Sequence, residues 1–308
     1  MGRTLSKNWI RLLIVFLTAF GVALVVSVTI GTKVLNRDKA NEDIVENEES
    51  SDEADIEETI TPTFIDLQPT VDAWLATAPG KVGLMIYDLD NQQVAAEYQS
   101  NVVFEAASVY KLFFAYDGYM QIDAGVDDGE AYFTSTSDYD NLSLSDCLDK
   151  IIRESYNGCA DPLRADAARF ARAEALADRL ELTGTSSAGL YSTAADLTKL
   201  MQLYWEHPDL SAASWEAIQD SMLNQPPTTY NWRQGLPSGF SQALVYDKVG
   251  WNYTGSYWSI YDDVAFVVFP EQDRHYIVVV MTSGFPTFTP LVNLGAQLET
   301  AILEQSVL

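Results

Sequence analysis

The chain has 308 residues and carries 44 Asp and Glu against 18 Lys and Arg, a formal net charge of −26. A chain this acidic is repelled by phosphate backbones, which sets nucleic-acid binding aside. Its two histidines, His207 and His275, are too few for a multi-histidine zinc centre, and a Ser-His-Asp triad would have to use one of them. A hydrophobic content of 47% excludes a wholly disordered chain.

In chain order, residues 1–37 hold five basic side chains (Arg3, Lys7, Arg11, Lys33, Arg37) and no acidic one. Between them Leu12 to Ile30 runs without a charge, long enough as a helix to cross a hydrocarbon core of about 30 Å. A signal peptide shares the basic start and apolar run. This run, however, exceeds the usual core of about 7–15 residues, and no small-x-small cleavage site follows it. The reading is therefore an uncleaved single-pass anchor with a cytoplasmic N-terminus and the rest of the chain outside. Residues 38–62 contain eleven acidic residues and one lysine, a self-repelling spacer. Residues 63–308 form the remaining domain, still at −21. Its two cysteines, Cys147 and Cys159, are twelve positions apart, and outside the cytoplasm such a pair reads as a disulfide rather than a metal or redox site.

From Phe64 onward the pattern is that of a folded domain. Lys81–Asp88 and Gln93–Tyr98 are predicted strands separated by a turn at Asp90-Asn91. A long helical middle follows, over 107–122, 143–154, 162–180, 193–206 and 211–222. Strands return at Ala243–Val249, Tyr257–Phe269 and His275–Thr282, and a last helix starts at Pro290. Strands at both ends with helices between predict an α/β fold of the α+β type. One antiparallel sheet would be assembled from both ends of the chain and flanked by helices, with a separate all-helical lobe.

No G-x-S-x-G, H-E-x-x-H, Walker or dinucleotide-binding pattern is present. Instead Ser108 and Lys111 stand three apart at the start of an apolar helical stretch, FEAASVYKLFFAY. Helical spacing puts the amine on the same face as the hydroxyl, and a desolvated amine near another cation can activate it. Two further patterns follow: Ser155-Tyr156-Asn157 in a turn-prone segment, and Lys248-Val249-Gly250 on a returning strand. S-x-x-K alone is weak, but S-x-x-K, S-x-N and K-x-G in this order form a specific set.

With these motifs, residues 64–308 resemble the penicillin-recognising serine hydrolases: class A β-lactamases and the transpeptidase or carboxypeptidase domains of penicillin-binding proteins. The segments GLYSTAADLTKLMQLY and DKVGW through VVVMTSG are similar to a helix entry and to the last sheet strands of that family. The resemblance implies that Ser108 becomes acylated, Lys111 takes or relays its proton, and Ser155 passes a proton to the leaving nitrogen. It implies that Asn157 holds Lys111 and the substrate amide, and that Lys248 provides the positive end of the cleft for a substrate carboxylate. Val249, Gly250 and Trp251 would line the substrate, and the N–H groups of Ser108 and Trp251 would form an oxyanion hole. The expected partners are a β-lactam or peptidoglycan peptide and the membrane. No cofactor and no metal is called for, and the oligomeric state stays open. Two departures stand out. Val249 replaces the threonine of K-T-G, and no E-x-x-x-N deacylation signature lies between the S-x-N element and Ser192-Thr193. Glu181 is the one nearby carboxylate and reads as a surface residue at a helix end. The alternatives are a catalytically degenerate member of the fold that binds cell-wall peptide or a partner, and a tethered adhesion domain in which the motifs coincide by chance.

Overall fold

A computed structural model describes residues 63–225, 234–253 and 259–306. The proposed anchor and spacer, and the first two residues of the strand expected at Tyr257–Phe269, lie outside the described residues. Among the described residues no helix is long and apolar enough to cross a membrane.

A short helix, α1 (Gln68–Leu75), opens the domain with a proline in its first turn, where a missing N–H costs nothing. Strands β1 (Lys81–Asp88) and β2 (Gln93–Tyr98) follow as predicted. Near the C-terminus come β7 (Leu244–Tyr253), β8 (Ser259–Phe269) and β9 (Arg274–Ser283), then α8 (Thr289–Ser306). These five strands make one antiparallel sheet in the order β2-β1-β9-β8-β7. β9 lies between β1 and β8, and its YIVVVMT run is apolar on both faces because both faces are covered.

One face packs on α1 and α8 through Trp74, Leu84, Val278, Val280, Leu291 and Leu294. The other face, through Val264, Phe266, Val279 and Met281, meets the helical part of the chain. That part contains α2 (Lys111–Asp123), α3 (Leu144–Arg153), α4 (Asn157–Ala165), α5 (Ala167–Arg179), α6 (Ala194–Glu206) and α7 (Ala212–Leu223). Two short ribbons complete it: β3 (Phe104–Glu105) with β6 (Tyr191–Ser192), and β4 (Tyr132–Thr134) with β5 (Leu142–Ser143).

Three local features differ from the sequence pattern. The expected helix 107–122 begins as a 3₁₀ turn, Ala107–Tyr110, and becomes α-helical only at Lys111. The expected helix 162–180 is two helices. Asp166 leaves helical geometry at ψ 115° and caps α5, its carboxylate accepting from the N–H groups of Ala168 and Arg169. Strands β7 and β9 are longer than expected, and the last three strands pair in register along most of their length. The short α1 and the four ribbon strands carry too little periodicity to be read from sequence.

His275, for which the sequence offered no partner, is bonded to Asp90 in the β1–β2 turn, with Nδ1 2.8 Å from Oδ1. His207 ends α6 in the left-handed region at φ 35° and stacks on Trp215. Glu181 is exposed just past α5, and its carbonyl accepts from Lys199.

Candidate active site

The site forms where three separate segments meet on the helical side of the sheet. The first is the turn Ala107–Tyr110 with Ser108, and Lys111 follows as the first residue of α2. The turn starts under strain: Ala107 holds φ 38°, a region costly for a residue with a Cβ. It is fastened from outside by the Ala106 N–H, which donates to Leu190 O at 2.8 Å.

The second segment joins α3 to α4 and carries Ser155, itself at φ 53°. A Cys147–Cys159 disulfide ties the two helices across it. α3 is also fixed at its start by a reciprocal Ser143–Asp146 capping box. Tyr156 leaves the site and bonds to Thr136 and to Asp138, at 3.0 Å from the latter.

The third segment is β7, one of the two edge strands of the sheet. Gly250 is required there by close approach: a Cβ would stand 2.7 Å from Ala106 O and 3.0 Å from Val109. Any larger residue would push the strand off the Ser108 turn. Side chains alternate along the strand, so Lys248 faces the site while Val249, 1% exposed, is buried in the core beneath α1 and α8. Trp251 likewise packs partly against that core.

Four of the predicted residues converge. Lys111 Nζ donates to Ser155 O at 2.5 Å and to Asn157 Oδ1 at 2.7 Å, with Ser155 Oγ at 3.3 Å. Lys248 Nζ donates to the same Ser155 Oγ at 2.9 Å and to Val249 O at 2.8 Å. Ser155 is thus the shared partner of two buried amines. Ser108 is half-buried on the 3₁₀ turn that leads into Lys111. The sequence pattern placed the Lys111 amine beside Ser108. The structure instead turns it toward Ser155 and Asn157.

Two buried cations close together disfavour each other's charge. Burial, then the positive charge of Lys248, pulls the Lys111 amine down to about 6, while Asp161 partly opposes this. Burial pulls Lys248 down to about 7 against the pull of Asp247 and Asp263. Near neutral pH Lys111 is therefore largely an uncharged amine, a base within the network. Tyr110, two residues past Ser108, is held protonated, its hydroxyl pushed up to about 12 by burial and by Asp161.

Asp161 and Tyr110 were not singled out from the sequence. Asp161 lies four residues after Asn157 on α4, and that spacing was the available signal. Among the described residues no group of three or more His, Cys, Asp or Glu is placed to hold a metal.

A serine on a strained turn, two buried lysines meeting at Ser155 and an antiparallel sheet flanked by terminal helices fit a serine hydrolase. More specifically, the chain belongs to the beta-lactamase enzyme family, whose sequence model matches residues 66–305. No curated protein matches the sequence. Among solved structures, the chain is similar to the TLA-1 extended-spectrum β-lactamase, with 14% identity and a TM-score of 0.67 over 77% of this chain and 98% of that one. It is also similar to a β-lactamase from Chitinophaga pinensis, at 18% identity and TM-score 0.64 over 77% and 98%. An ancestral class A β-lactamase aligns at 16% identity and TM-score 0.65 over 76% and 99%. At these identities the solved structures speak for the fold.

Proposed function

We propose that this protein is a serine acyl-enzyme former acting on β-lactams or on D-Ala-D-Ala-type peptidoglycan peptides. The carrying observation is the double use of Ser155 Oγ by Lys111 and Lys248, both with depressed amine pKa values. Ser108 Oγ attacks the substrate carbonyl carbon, an O–C bond forms, and the C–N bond breaks as the intermediate collapses. The hydroxyl proton passes to the neutral Lys111 amine, and Ser155 delivers a proton to the departing nitrogen, which leaves Lys111 neutral again. Water then hydrolyses the ester and frees Ser108. Catalytic hydrogen bonds commonly tighten only with substrate bound, so the Lys111–Ser108 contact is expected in the complex.

Val249 offers no hydroxyl to a substrate carboxylate and is packed in the core, so it gives Lys248 no help there. With no E-x-x-x-N signature between the S-x-N element and Ser192-Thr193, the acyl-enzyme is expected to release slowly. The residues 12–30 anchor would hold the domain outside the cytoplasm, and the Cys147–Cys159 bridge favours an oxidising compartment.

Intact-mass measurement after incubation with penicillin tests the reading. One covalent adduct is expected at Ser108, absent in Ser108→Ala. An adduct elsewhere, or none with several β-lactams, overturns it in favour of a binding module without turnover. Fractionation of cells, with protease added outside, tests the anchor: the domain should pellet with membranes and be cut.

A further inference from the structure

Between α4 and the 187–190 loop lies a cavity of about 630 Å³. Its wall consists of Asp161, Arg164, Ala165, Phe170, Ser187 and Leu190. A volume of this size falls in the range of small-molecule sites. Both sides of the cavity are attached to the Ser108 turn. On one side Leu190 O receives the Ala106 N–H, two residues before Ser108. On the other, α4 begins at Asn157, bonded to Lys111, and its Arg164 guanidinium lies 5.9 Å from the centre of the Tyr110 ring.

The loop side is held in shape by several contacts. Ser187, Ala188 and Gly189 all have positive φ, at 56°, 52° and 86°. Gly189 meets Phe113 so closely that a Cβ would stand 2.3 Å from the ring. The Ala188 N–H donates to Glu174, and Asp196 receives the Gly184 N–H at 2.8 Å and the Thr185 hydroxyl at 2.9 Å. Strain kept in place by this many contacts preforms a wall.

The chemistry of the wall is unusual for so acidic a domain. Asp161 and Arg164, three apart on one helix, both face the cavity as exposed charges. Opposite charges at this spacing ordinarily pair on a helix surface. Here no ion pair joins them, nor does either pair with another charged side chain among the described residues. An anion and a cation held apart on one wall match a ligand that carries both charges, with an apolar stem for Phe170 and Leu190.

We propose that this cavity is the subsite for the acyl-side group of the substrate, and that it selects a group ending in a free α-amino acid. Asp161 receives the ammonium and Arg164 the carboxylate. The proposal deepens the acyl-enzyme reading and rests on it for the direction in which substrate lies.

The test compares three β-lactams: a cephalosporin with a D-α-aminoadipoyl side chain, one with a glutaryl side chain that lacks the amine, and one with an apolar phenylacetyl side chain. The rate of Ser108 acylation should be highest for the aminoadipoyl compound. A lost charge-assisted hydrogen bond corresponds to roughly a tenfold change. Asp161→Asn should therefore bring the aminoadipoyl-to-glutaryl ratio close to one. Arg164→Gln should bring the glutaryl-to-phenylacetyl ratio down by a similar factor. Ratios, rather than absolute rates, cancel any effect of Asp161 on Lys111. Equal rates for the three compounds, or substitutions that slow all three alike, overturn the subsite.

Calorimetry with Ser108→Ala separates this proposal from the reaction itself. Tighter binding of the aminoadipoyl compound than of the phenylacetyl one supports the subsite even if no β-lactam acylates Ser108. Equal or undetectable binding of the two overturns it even if acylation is fast.

Discussion

The two faces of the five-stranded sheet are built from the same strands but hold different chemistry. Beneath α1 and α8 lie Trp74, Leu84, Ile86, Val278, Val280, Leu291 and Leu298, and the carboxylates buried among them, Asp263 and Glu299, accept from the backbone N–H groups of Leu236, Ser241 and Gln242. On the helical side, apolar packing coexists with the buried Lys111, Lys248, Ser155 and Asp262. Asp262 is fully buried, and burial raises its carboxyl pKa well above the ordinary range, against the Thr282 N–H that it accepts. Desolvating such groups opposes folding, and it is tolerated where it prepares reactivity. Both faces bury charge, but only the helical one brings two amines onto a single hydroxyl. β7 joins them, with Lys248 on one side and Val249 on the other.

The largest expected effect comes from removing the base on the reactive face. Lys111→Met keeps the volume of the buried stem but no titrating amine. Acylation of Ser108 by penicillin should fall by a factor of roughly 10² to 10⁴, with cooperative unfolding retained. In the unaltered protein the acylation rate should climb with pH through about 6, where Lys111 loses its proton. It should decline above about 7, as Lys248 loses the charge that attracts a carboxylate. Stopped-flow acylation from pH 5 to 9 reads both limbs, and a flat profile rejects Lys111 as the base.

A change on the opposite face should do the reverse. Leu84 is fully buried on β1 under the terminal helices. Leu84→Ala leaves a cavity expected to cost about 2–5 kcal/mol, read by urea unfolding. The acylation rate per folded molecule should stay within about twofold. A larger loss would mean that the two faces are mechanically coupled through β7.

The sequence patterns that survive in the structure are those carried by strong local periodicity or by fixed spacing. β1 and β2 begin and end where alternation and the Asp90-Asn91 turn place them. The S-x-x-K and S-x-N residues sit at helix starts, and K-x-G sits mid-strand on β7, where Gly250 lets the strand approach the Ser108 turn and Lys248 reaches Ser155. Hidden from the sequence were facts decided by tertiary contact. The 3₁₀ geometry at Ser108 depends on the Leu190 bond and on Gly250 beneath it. The inward turn of Val249 is set by which face β7 buries, and a ten-residue strand of mixed character does not announce that. The preference of Lys111 for Ser155 follows from a backbone carbonyl that only the φ 53° kink brings within reach.

The smallest effect concerns the far end of the apolar strands, where a charged pair closes the β1–β2 turn. His275 Nδ1 and its own N–H both bond to the Asp90 carboxylate. That partner raises the imidazole pKa more than partial burial lowers it. A group whose pKa is raised on folding stabilises the fold fully below its unfolded value, near 6.5. The contribution fades as pH rises through the folded value. Asp90→Asn should therefore lower the thermal midpoint more at pH 5.5 than at pH 8.5. The pair is about a fifth exposed on each side, so the expected difference is only about 1 kcal/mol, the upper end for ion pairs open to solvent. The same substitution should leave the penicillin acylation profile between pH 5 and 9 unshifted, because His275 lies outside the Lys111 network. A loss of stability that is equal at both pH values would show that Asp90 acts through the turn backbone alone, with no contribution from the imidazolium.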